Sequence, residues 1–306
     1  MATHFLAVVN PAAGGGRCGR RAPGALARLR AAGLTIDVAE TRVAGHATEL
    51  VREAMQLGQR NFLVVGGDGT SYEVVNGLFA APPANKDDRC TLAFLPLGTG
   101  NSFLRDFVNH RGAEDVDAAA KIMLNGTRRR CDVIRLKHAG GELHYINLLT
   151  LGFAADVADV TNRRFKRWGE LGYILGVLMC LARLDRRVFP LRTDGATAFD
   201  NRPCLFLAFS NSKFTGGKMM IAPDADACDG LIEYVRWGPI GRFGLLRNLH
   251  TLFDGTHVRH PLASRSAVRH VEFAFDAPVN VMIDGESFRL QCQTLDVIPG
   301  ALDILV

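Results

Sequence analysis

Three glycine-rich segments in the first third of the chain carry residue types that bind phosphate. They are Asn10-Pro11-Ala12-Ala13-Gly14-Gly15-Gly16, Gly66-Gly67-Asp68-Gly69-Thr70 and Pro96-Leu97-Gly98-Thr99-Gly100-Asn101. Each follows an apolar, strand-like run, where backbone N–H groups can hold a phosphate. A single glycine triplet is equally explained by a tight turn into a helix. Three such loops, each after a strand, instead indicate a nucleotide site.

Asp68 places an acid among the small residues of the second loop. In that position a bound Mg²⁺ or its waters can bridge the carboxylate to nucleotide phosphates. The alternative is that Asp68 caps the helix that follows. No Lys-Ser/Thr follows a loop and no glycine triplet has G-x-G-x-x-G spacing, which excludes the Walker A and dinucleotide-binding patterns.

Two acidic segments in the second half offer metal ligands or a proton acceptor. Asp224, Asp226 and Asp229 lie on a loop before a strand, at a spacing that suits Mg²⁺ or Ca²⁺ but also a solvated turn. Ile283-Asp284-Gly285-Glu286 follows another strand. A carboxylate there can accept the proton of an attacking hydroxyl, although Asp-Gly is also the strongest short signal of a hairpin turn. Both alternatives stay open on these residues alone.

The elements that must position the loops alternate regularly up to about residue 128. Strand-like runs occupy Phe5–Val9, Ile36–Ala39, Phe62–Val65 and Leu92–Leu95, and helix-period segments lie near Ala25–Ala32, Ala47–Leu57, Tyr72–Phe79 and Val116–Leu124. This α/β alternation predicts a mostly parallel sheet with helices on both faces. Sites in such sheets lie at the carboxyl ends of the strands.

After residue 128 the pattern becomes β-rich. Strand-like runs occupy Cys131–Leu136, Leu143–Leu149, Cys204–Ser210, Leu231–Val235, Val271–Phe275 and Val279–Ile283, and one helical region spans Phe153 to Asp185. We predict a mainly antiparallel β domain with a helical insert. The predicted domains are therefore 1–128 and 129–306, with a final strand that is free to return to either.

Composition bounds the class of protein. The 306 residues are 48% hydrophobic, and 36 Lys and Arg stand against 31 acids. This mild basic excess fits phosphates or an anionic membrane surface, but without basic runs interleaved with aromatics we expect no nucleic-acid partner.

Seven cysteines without a C-x-x-C pair favour reduced thiols in the cytoplasm. No charged leader precedes the first strand, so we expect no secretory signal. The 14-residue run 171–184 is too short to span a bilayer.

The three loops together resemble those of the diacylglycerol kinase and sphingosine kinase superfamily. Val65-Gly66-Gly67-Asp68-Gly69-Thr70 with Glu73-Val74-Val75-Asn76-Gly77, Leu95 to Asn101, and Asn10-Pro11 at the first strand carry the resemblance. Phosphofructokinases and NAD kinases have a loop similar to GGDG, but the third loop resembles that of lipid kinases. The resemblance implies a phosphofructokinase-like catalytic domain, a β-rich lipid-binding domain, and an ATP-dependent lipid kinase like the soluble bacterial diacylglycerol kinases.

The same resemblance assigns residues to roles. It implies that ATP contacts Asn10, Thr41, Gly67, Asp68, Gly69, Thr70, Gly98, Thr99 and Asn101, with Gly45-His46-Ala47 as a further element on the phosphate side. It makes Asp226, Asp229 and the Leu231 carbonyl ligands of Mg²⁺, Asp284 the general base, and Glu286 a supporting electrostatic or metal-linked residue. Where the family often has Ser, a nearby Lys and an acid, this chain has Ala13, Arg17 or Arg20, and Ser102. These departures leave the substrate subtype open.

Diacylglycerol is the first expected substrate, with a sphingoid base, ceramide or another glycerolipid as alternatives. An NAD kinase-like enzyme and a lipid-binding module without catalysis are more distant alternatives. We expect a cytoplasmic protein at the inner face of the membrane, and a homodimer stays open. Arg163-Arg164-Phe165-Lys166-Arg167-Trp168, which precede the apolar run 171–184, suit an anionic membrane surface or the solvated end of a core helix.

Overall fold

The chain forms two compact units. The computed structural model describes residues 4–80, 89–98, 101–107, 116–161, 164, 169–216 and 218–306, with only the backbone of 169–174. The first unit comprises Met1–Val133 and Pro299–Val306, and the second Ile134–Ile298. A parallel α/β unit and an antiparallel β unit match the predicted fold class, which is confirmed.

The first unit is a parallel sheet with helices between its strands. Its strands are β1 (His4–Val9), β2 (Thr35–Glu40), β3 (Asn61–Gly66) and β4 (Thr91–Pro96), and its helices are α1 (Arg17–Ala31), α2 (His46–Gln56), α3 (Asp68–Leu78) and α4 (Val116–Asn125). The strands lie in the order β2-β1-β3-β4, and each pair is parallel. The loops after β1, β3 and β4 therefore emerge at one edge of the sheet.

Both faces of this sheet are buried, which explains the near-continuous apolar strands. Phe5, Ala7 and Val9 share one core with residues of α1 and α4. The alternate residue Val8 is equally buried, and it points to the opposite face because side chains alternate along a strand. Helices α2 and α3 pack against each other and against β1 and β3.

A glycine sets the spacing between α2 and α3. A Cβ on Gly77 of α3 would lie 2.7 Å from the Val51 Cβ and 2.8 Å from the Thr48 carbonyl oxygen of α2. Either distance is too short for a carbon atom, so the two helices approach this closely only with glycine at position 77.

The second unit contains the remaining strands and α-helices, except that β17 ends in the first unit. Its strands are β5 (Arg128–His138, which starts in the first unit), β6 (Gly141–Tyr145), β7 (Leu148–Gly152), β8 (Leu191–Thr193), β9 (Phe206–Ser210), β10 (Phe214–Thr215), β11 (Met219–Met220), β12 (Ile232–Trp237), β13 (Ala263–Val268), β14 (His270–Phe273), β15 (Val279–Ile283), β16 (Glu286–Leu290) and β17 (Cys292–Leu305). Its helices are α5 (Phe153–Val160), α6 (Gly169–Ala182), α7 (Arg242–Asn248) and α8 (Thr251–Asp254). The main sheet has the antiparallel order β13-β12-β9-β7-β15-β16.

The helices of the second unit cover an aromatic part of this sheet. Trp237 of β12 is fully buried with Phe206 of β9, and their rings meet edge to face at 5.7 Å. Leu181 of α6, Leu245 of α7 and Leu252 of α8 belong to the same core cluster. The predicted helical insert corresponds to α5 and α6.

The first unit continues to Val133 rather than ending at 128. The final strand, which the sequence left free to join either domain, joins the first unit with residues 299–306, because Asp303 and Ile304 of β17 pair in parallel with Thr91 and Leu92 of β4. The run 143–149, predicted as one strand, is divided between β6 and β7. Among the described residues, no helix combines the length and apolar character needed to span a membrane.

We predict that Gly77→Ala lowers the free energy of unfolding by about 1–3 kcal/mol, because α2 and α3 must separate to admit the methyl group. Gly24→Ala is the matched control within a helix, since a Cβ there meets nothing within 4 Å. It should raise stability by about 0.5–1 kcal/mol through helix propensity. Urea unfolding followed by circular dichroism measures both; equal effects of the two variants would contradict the close crossing.

Candidate active site

The loops after β1, β3 and β4 are joined through their backbones. Asn10 N–H donates to the Val65 carbonyl at 3.0 Å, and Gly98 N–H donates to the Gly66 carbonyl at 2.8 Å. A Cβ on Gly98 would lie 2.7 Å from the Gly67 nitrogen. The second and third loops therefore touch directly, and glycine at 98 is what permits the contact.

The first loop turns through three consecutive left-handed residues. Gly14, Gly15 and Gly16 have φ angles of 62°, 66° and 83°, a backbone conformation that favours glycine strongly. A Cβ on Gly14 would lie 3.1 Å from the Leu97 carbonyl oxygen, whereas one on Gly15 would meet nothing within 4 Å. Gly14 thus packs against the third loop, while Gly15 leaves open space beside it.

Asn10 fastens the first loop to the second. Its Nδ2 donates to the Thr70 Oγ1 at 3.1 Å, and its Oδ1 accepts the Ala12 N–H at 3.1 Å. The main chain of Thr41, at the end of β2, donates to the Val9 carbonyl at 2.8 Å. Asn10, Thr41 and Thr70 are therefore gathered at the same edge of the sheet.

Asp68 links the second loop to the third. It is the first residue of α3 and makes no side-chain cap hydrogen bond; the N-cap position is Gly67. Both carboxylate oxygens instead accept the Ser102 N–H, at 2.8 and 3.0 Å. Burial raises the pKa of Asp68, and the hydrogen bonds from Ser102 oppose that shift. The helix-cap alternative for Asp68 is therefore wrong in this structure.

The third loop is held from two sides. Arg17 Nη2 donates to the Gly98 carbonyl at 2.7 Å, and Asn101 adopts a left-handed φ of 49° with its Nδ2 3.4 Å from the Pro96 carbonyl oxygen. Thr99, predicted to contact ATP, lies outside the described residues. Arg17 lies near the position where the resemblance to lipid kinases leads us to expect a lysine. Its guanidinium group holds the backbone of the third loop through the Gly98 carbonyl.

Glu73 is a positioning residue that the sequence did not single out by role. Its Oε1 accepts the Gly45 N–H at 2.8 Å and its Oε2 the Ala47 N–H at 3.1 Å, while its carbonyl accepts the Thr48 Oγ1 at 2.8 Å. The carboxylate thus caps the N-terminus of α2 from α3. Two N–H groups of the segment 45–47 are consequently engaged within the protein rather than open to a phosphate.

In the second unit, Asp284 is a buried carboxylate that holds the bend between β6 and β7. Its side chain accepts N–H groups from Ile146 at 3.1 Å, Asn147 at 3.0 Å and Leu148 at 2.9 Å, and the residue is 2% exposed. These are the donors at the break between β6 and β7. The run 143–149 is therefore not one continuous strand, because the carboxylate accepts N–H groups that would otherwise donate to a neighbouring strand.

The segment 283–286 forms the hairpin turn that its Asp-Gly pair offered as the alternative to a catalytic role. Asp284 and Gly285 have positive φ angles of 48° and 91° and connect the antiparallel strands β15 and β16, as in a two-residue hairpin loop. Glu286, at the start of β16, is exposed. One short turn therefore directs a carboxylate inward at 284 and places the other at the surface at 286.

Polar groups around this bend are buried together. Asn211 Nδ2 donates to the Ile146 carbonyl at 2.8 Å, and Asn211 N–H donates to the Asn147 carbonyl at 2.7 Å. Ser212 Oγ contacts the Asn147 Oδ1. Sequence reasoning missed Asn147, Asn211 and Ser212, whose only local signal is a polar residue directly after an apolar strand.

The predicted metal ligands lie on a surface depression of the second unit. Asp226, Asp229, Leu231 and Glu233 line it together with Asp224 and Arg265. The Asp226 Oδ1 accepts the Cys228 N–H at 3.0 Å, and the Asp229 Oδ1 accepts the Leu231 N–H at 2.9 Å. Burial and the charge of Asp226 raise the pKa of Asp229, and burial and Asp229 raise the pKa of Glu233.

This crowding of like charge suits a hard cation with oxygen ligands. Arg265 is an ion-pair partner of Asp224, and its Nη1 is 3.9 Å from the Glu233 Oε1. Within the part of the chain that the structure describes, no three His, Cys, Asp or Glu side chains form a metal-binding group. The predicted set of two carboxylates and one carbonyl would be completed by water.

Of the predicted membrane-facing segment 163–168, the structure describes only Arg164, which is exposed. Arg163, Phe165, Lys166, Arg167 and Trp168 lie outside the described residues, so this hypothesis stays a prediction.

Two family models match the chain in succession. The Diacylglycerol kinase catalytic domain matches residues 4–136, and the YegS C-terminal NAD kinase beta sandwich-like domain matches residues 147–306. Their order is the order of the α/β unit and the β unit described above.

Similar proteins extend over nearly the whole chain. A protein of Mycobacterium tuberculosis (strain CDC 1551 / Oshkosh) named "Diacylglycerol kinase" is 32% identical over 305 residues, covering 98% of this chain and 94% of its own. A protein of Pseudomonas fluorescens named "Probable lipid kinase YegS-like" is 31% identical, covering 90% and 87%. The crystal structure of a diacylglycerol kinase from Bacillus anthracis str. Sterne has the same fold, with a TM-score of 0.70, 19% identity, and 99% and 96% coverage.

We predict that Asp284→Asn lowers the free energy of unfolding by about 2 kcal/mol, because one carboxylate oxygen that accepts buried N–H groups becomes a donor. Asparagine tolerates the left-handed backbone, so the variant isolates the lost acceptor. Glu286→Gln, on the same hairpin but exposed, should stay within about 0.5 kcal/mol of the parent. Denaturant unfolding measures both, and an unchanged midpoint for Asp284→Asn would contradict the positioning role.

Proposed function

This chain belongs to the diacylglycerol kinase family of lipid kinases and is an ATP-dependent lipid kinase, and on that premise we propose that it phosphorylates the free hydroxyl of a diacylglycerol to give phosphatidic acid. The observation that carries the proposal is the cradle of three strand-end loops, in which Asn10, Asp68 and Gly98 join one loop to the next. A relative named a diacylglycerol kinase over almost the whole chain supports this choice of lipid.

The first unit fits the phosphates of ATP. Its first loop leaves open space at Gly15, and α3 begins at the second loop without a side-chain cap, so the N-terminus and dipole of α3 favour an anion. Bound ATP with Mg²⁺ supplies the phosphoryl group and a cation that offsets its charge. Asn10 and Thr70 keep two loops in register, and Asp68 presents its carboxylate where such a cation can be bound directly or through water.

On the acceptor side we assign Asp284 as the proton acceptor. Three backbone N–H groups hold its carboxylate in one orientation, so a lipid hydroxyl would meet an aligned base. The hydroxyl oxygen forms the bond to the γ-phosphorus, the bond from that phosphorus to the β–γ bridging oxygen breaks, and Asp284 takes the proton. ADP leaves, and no covalent enzyme intermediate is formed. Exposed Glu286 would add negative charge near the hairpin.

We assign the acidic depression as a structural Mg²⁺ site held by Asp226, Asp229 and the Leu231 carbonyl. Its support is that Asp226, Asp229, Leu231 and Glu233 line one depression, where burial and the charge of Asp226 raise the pKa of Asp229. Carboxylate and carbonyl oxygens at the protein surface suit Mg²⁺, which usually keeps several of its water ligands. The role proposed for the cation is to order the loop from Asp224 to Leu231.

A different lipid acceptor is the main alternative, because several relatives are named YegS-like lipid kinases rather than diacylglycerol kinases. The more distant alternatives predict other results when ATP carries a labelled phosphate. An NAD kinase-like enzyme would transfer the label to NAD, and an inactive lipid-binding module would transfer it to no acceptor. We further propose that the enzyme works at the cytoplasmic face of a membrane, where its lipid substrate would lie.

Transfer of labelled phosphate from ATP to diacylglycerol, sphingosine, ceramide and phosphatidylglycerol in mixed micelles, and to NAD in a parallel reaction, tests the proposal. We expect label in diacylglycerol, and a loss of kcat/KM of roughly a hundredfold or more in Asp68→Asn, whose oxygen can still accept the Ser102 N–H. Glu53→Gln, exposed on α2, is the control and should keep full activity. Label in another lipid alone would replace the proposed substrate, and label only in NAD would overturn the lipid acceptor.

We predict opposite effects of Asp229→Asn with and without Mg²⁺. Without divalent cations the variant should melt about 2 °C higher than the parent, because a like-charge repulsion is removed. Millimolar Mg²⁺ should raise the melting temperature of the parent but leave the variant unchanged. A thermal shift assay with Glu53→Gln as control measures both. An Mg²⁺ response that is the same in parent and variant would remove the site from this loop.

A further inference from the structure

Two phenylalanines of the second unit are exposed on adjacent short helices. Phe243 on α7 is 89% exposed and Phe253 on α8 is 52% exposed, with Leu246 on α7 at 49%. They are the exposed phenylalanines among the described residues. Large apolar side chains that face solvent together mark an interaction surface more often than singly scattered ones.

These side chains form one stripe because the helical backbone barely breaks between α7 and α8. Leu249 and His250 keep right-handed helical dihedral angles, and Phe253 N–H donates to the His250 carbonyl at 3.0 Å. Helical spacing of three and four residues places successive side chains on one face. The α7–α8 surface is therefore defined by Phe243, Leu246, Arg247, His250 and Phe253, all exposed.

The opposite face anchors this segment. Leu245 and Leu252 are buried at 2% and 8% exposure in the core that contains Trp237. The outward position of the phenylalanines thus follows from the burial of these leucines, since a helix cannot bury both faces here without losing the leucine contacts.

Basic side chains surround the apolar stripe. Arg247 lies within it, and Arg242 donates to the Ala182 carbonyl at 2.8 Å, which places the end of α6 beside α7. Arg183 follows Ala182 directly and is exposed, as is Arg186, whose Nη2 is 3.5 Å from where a Cβ on Gly241 would lie. Among the described residues of the segments 182–187 and 241–254, the exposed acids are Asp185 and Asp254, so these segments carry four exposed arginines and two exposed aspartates. Exposed Asp224 follows Pro223, whose Cβ is 3.1 Å from where a Cβ on Gly255 would lie, but Asp224 pairs with Arg265.

We infer that the α7–α8 surface docks the second unit on an anionic lipid bilayer, with the phenylalanines and Leu246 below the headgroups and the arginines among the lipid phosphates. An exposed segment with apolar residues on one face and Arg at its borders has the composition of an interfacial helix. This inference rests on the proposed function, in which the substrate is a membrane lipid. A second copy of the chain is disfavoured as the occupant, because a two-fold interface would set arginines against arginines.

Vesicle binding tests the surface without requiring catalysis. Sedimentation with phosphatidylcholine vesicles that contain phosphatidylglycerol should give saturable binding of the parent protein. Phe243→Ser should weaken it by about tenfold, the effect of withdrawing one large apolar side chain from the interface. Arg247→Gln should weaken binding to these vesicles and not to pure phosphatidylcholine. Leu57→Ser is the control, since Leu57 is also 89% exposed but lies in the first unit.

An activity assay separates this inference from the proposed function. The triple variant Phe243→Ser, Leu246→Ser and Phe253→Ser should phosphorylate a short-chain, water-soluble diacylglycerol at the parent rate and lose most activity on long-chain diacylglycerol in vesicles. A parent protein that binds vesicles but phosphorylates neither lipid would sink the proposed substrate and leave the docking surface standing. Equal vesicle binding by parent and triple variant overturns the docking surface. So does a dimer, seen by sedimentation velocity, that the triple variant abolishes while vesicle binding persists.

Discussion

The first unit depends on the direct contact of backbones at the carboxyl edge of its parallel sheet. Gly98 approaches Gly67 so closely that no Cβ fits, and the Gly98 N–H bonds to the Gly66 carbonyl at 2.8 Å. This contact brings the loops after β3 and β4 together, and Asn10 adds the loop after β1. A phosphate site built from main-chain N–H groups requires this closeness, because a backbone donor reaches a ligand only where side chains do not intervene.

Buried charge plays a comparable role in the second unit. An unpaired carboxylate in a protein interior is strongly destabilising, so Asp284 persists only because three main-chain N–H groups donate to it. The same bonds satisfy the donors released where β6 ends and β7 begins. The interactions that make the Asp284 carboxylate tolerable in the interior therefore also hold it in one orientation, on which its proposed role as proton acceptor depends.

Acids in the two units are stabilised by different means. Asp68 is offset by the Ser102 N–H, Asp224 by Arg265, and Glu73 by the N-terminus of α2. Asp226 and Asp229 have backbone N–H partners, yet burial and the charge of Asp226 still raise the pKa of Asp229. Excess negative charge at the depression is the physical reason for proposing a structural cation there, whereas the cation proposed at Asp68 is the one that accompanies ATP.

The sequence by itself determined the elements and the loops. Apolar periodicity predicted β1 to β4 and the α/β character of the first unit, and glycine content predicted where the chain leaves each strand, because these are properties of a few neighbouring residues. Asp284-Gly285 was likewise readable as a hairpin turn, and the resemblance of the loops supplied the family.

Only the tertiary structure decided which distant groups meet. Glu73 caps α2 from another helix, Asp284 accepts N–H groups more than a hundred residues earlier in the chain, and the end of β17 returns to β4. The stripe of Phe243 and Phe253 became visible only once Leu245 and Leu252 were seen to be buried on the other side. Local patterns specify how a segment is shaped and which residues are apolar. The partner of a hydrogen bond or the face left to solvent depends on topology, which no short segment encodes.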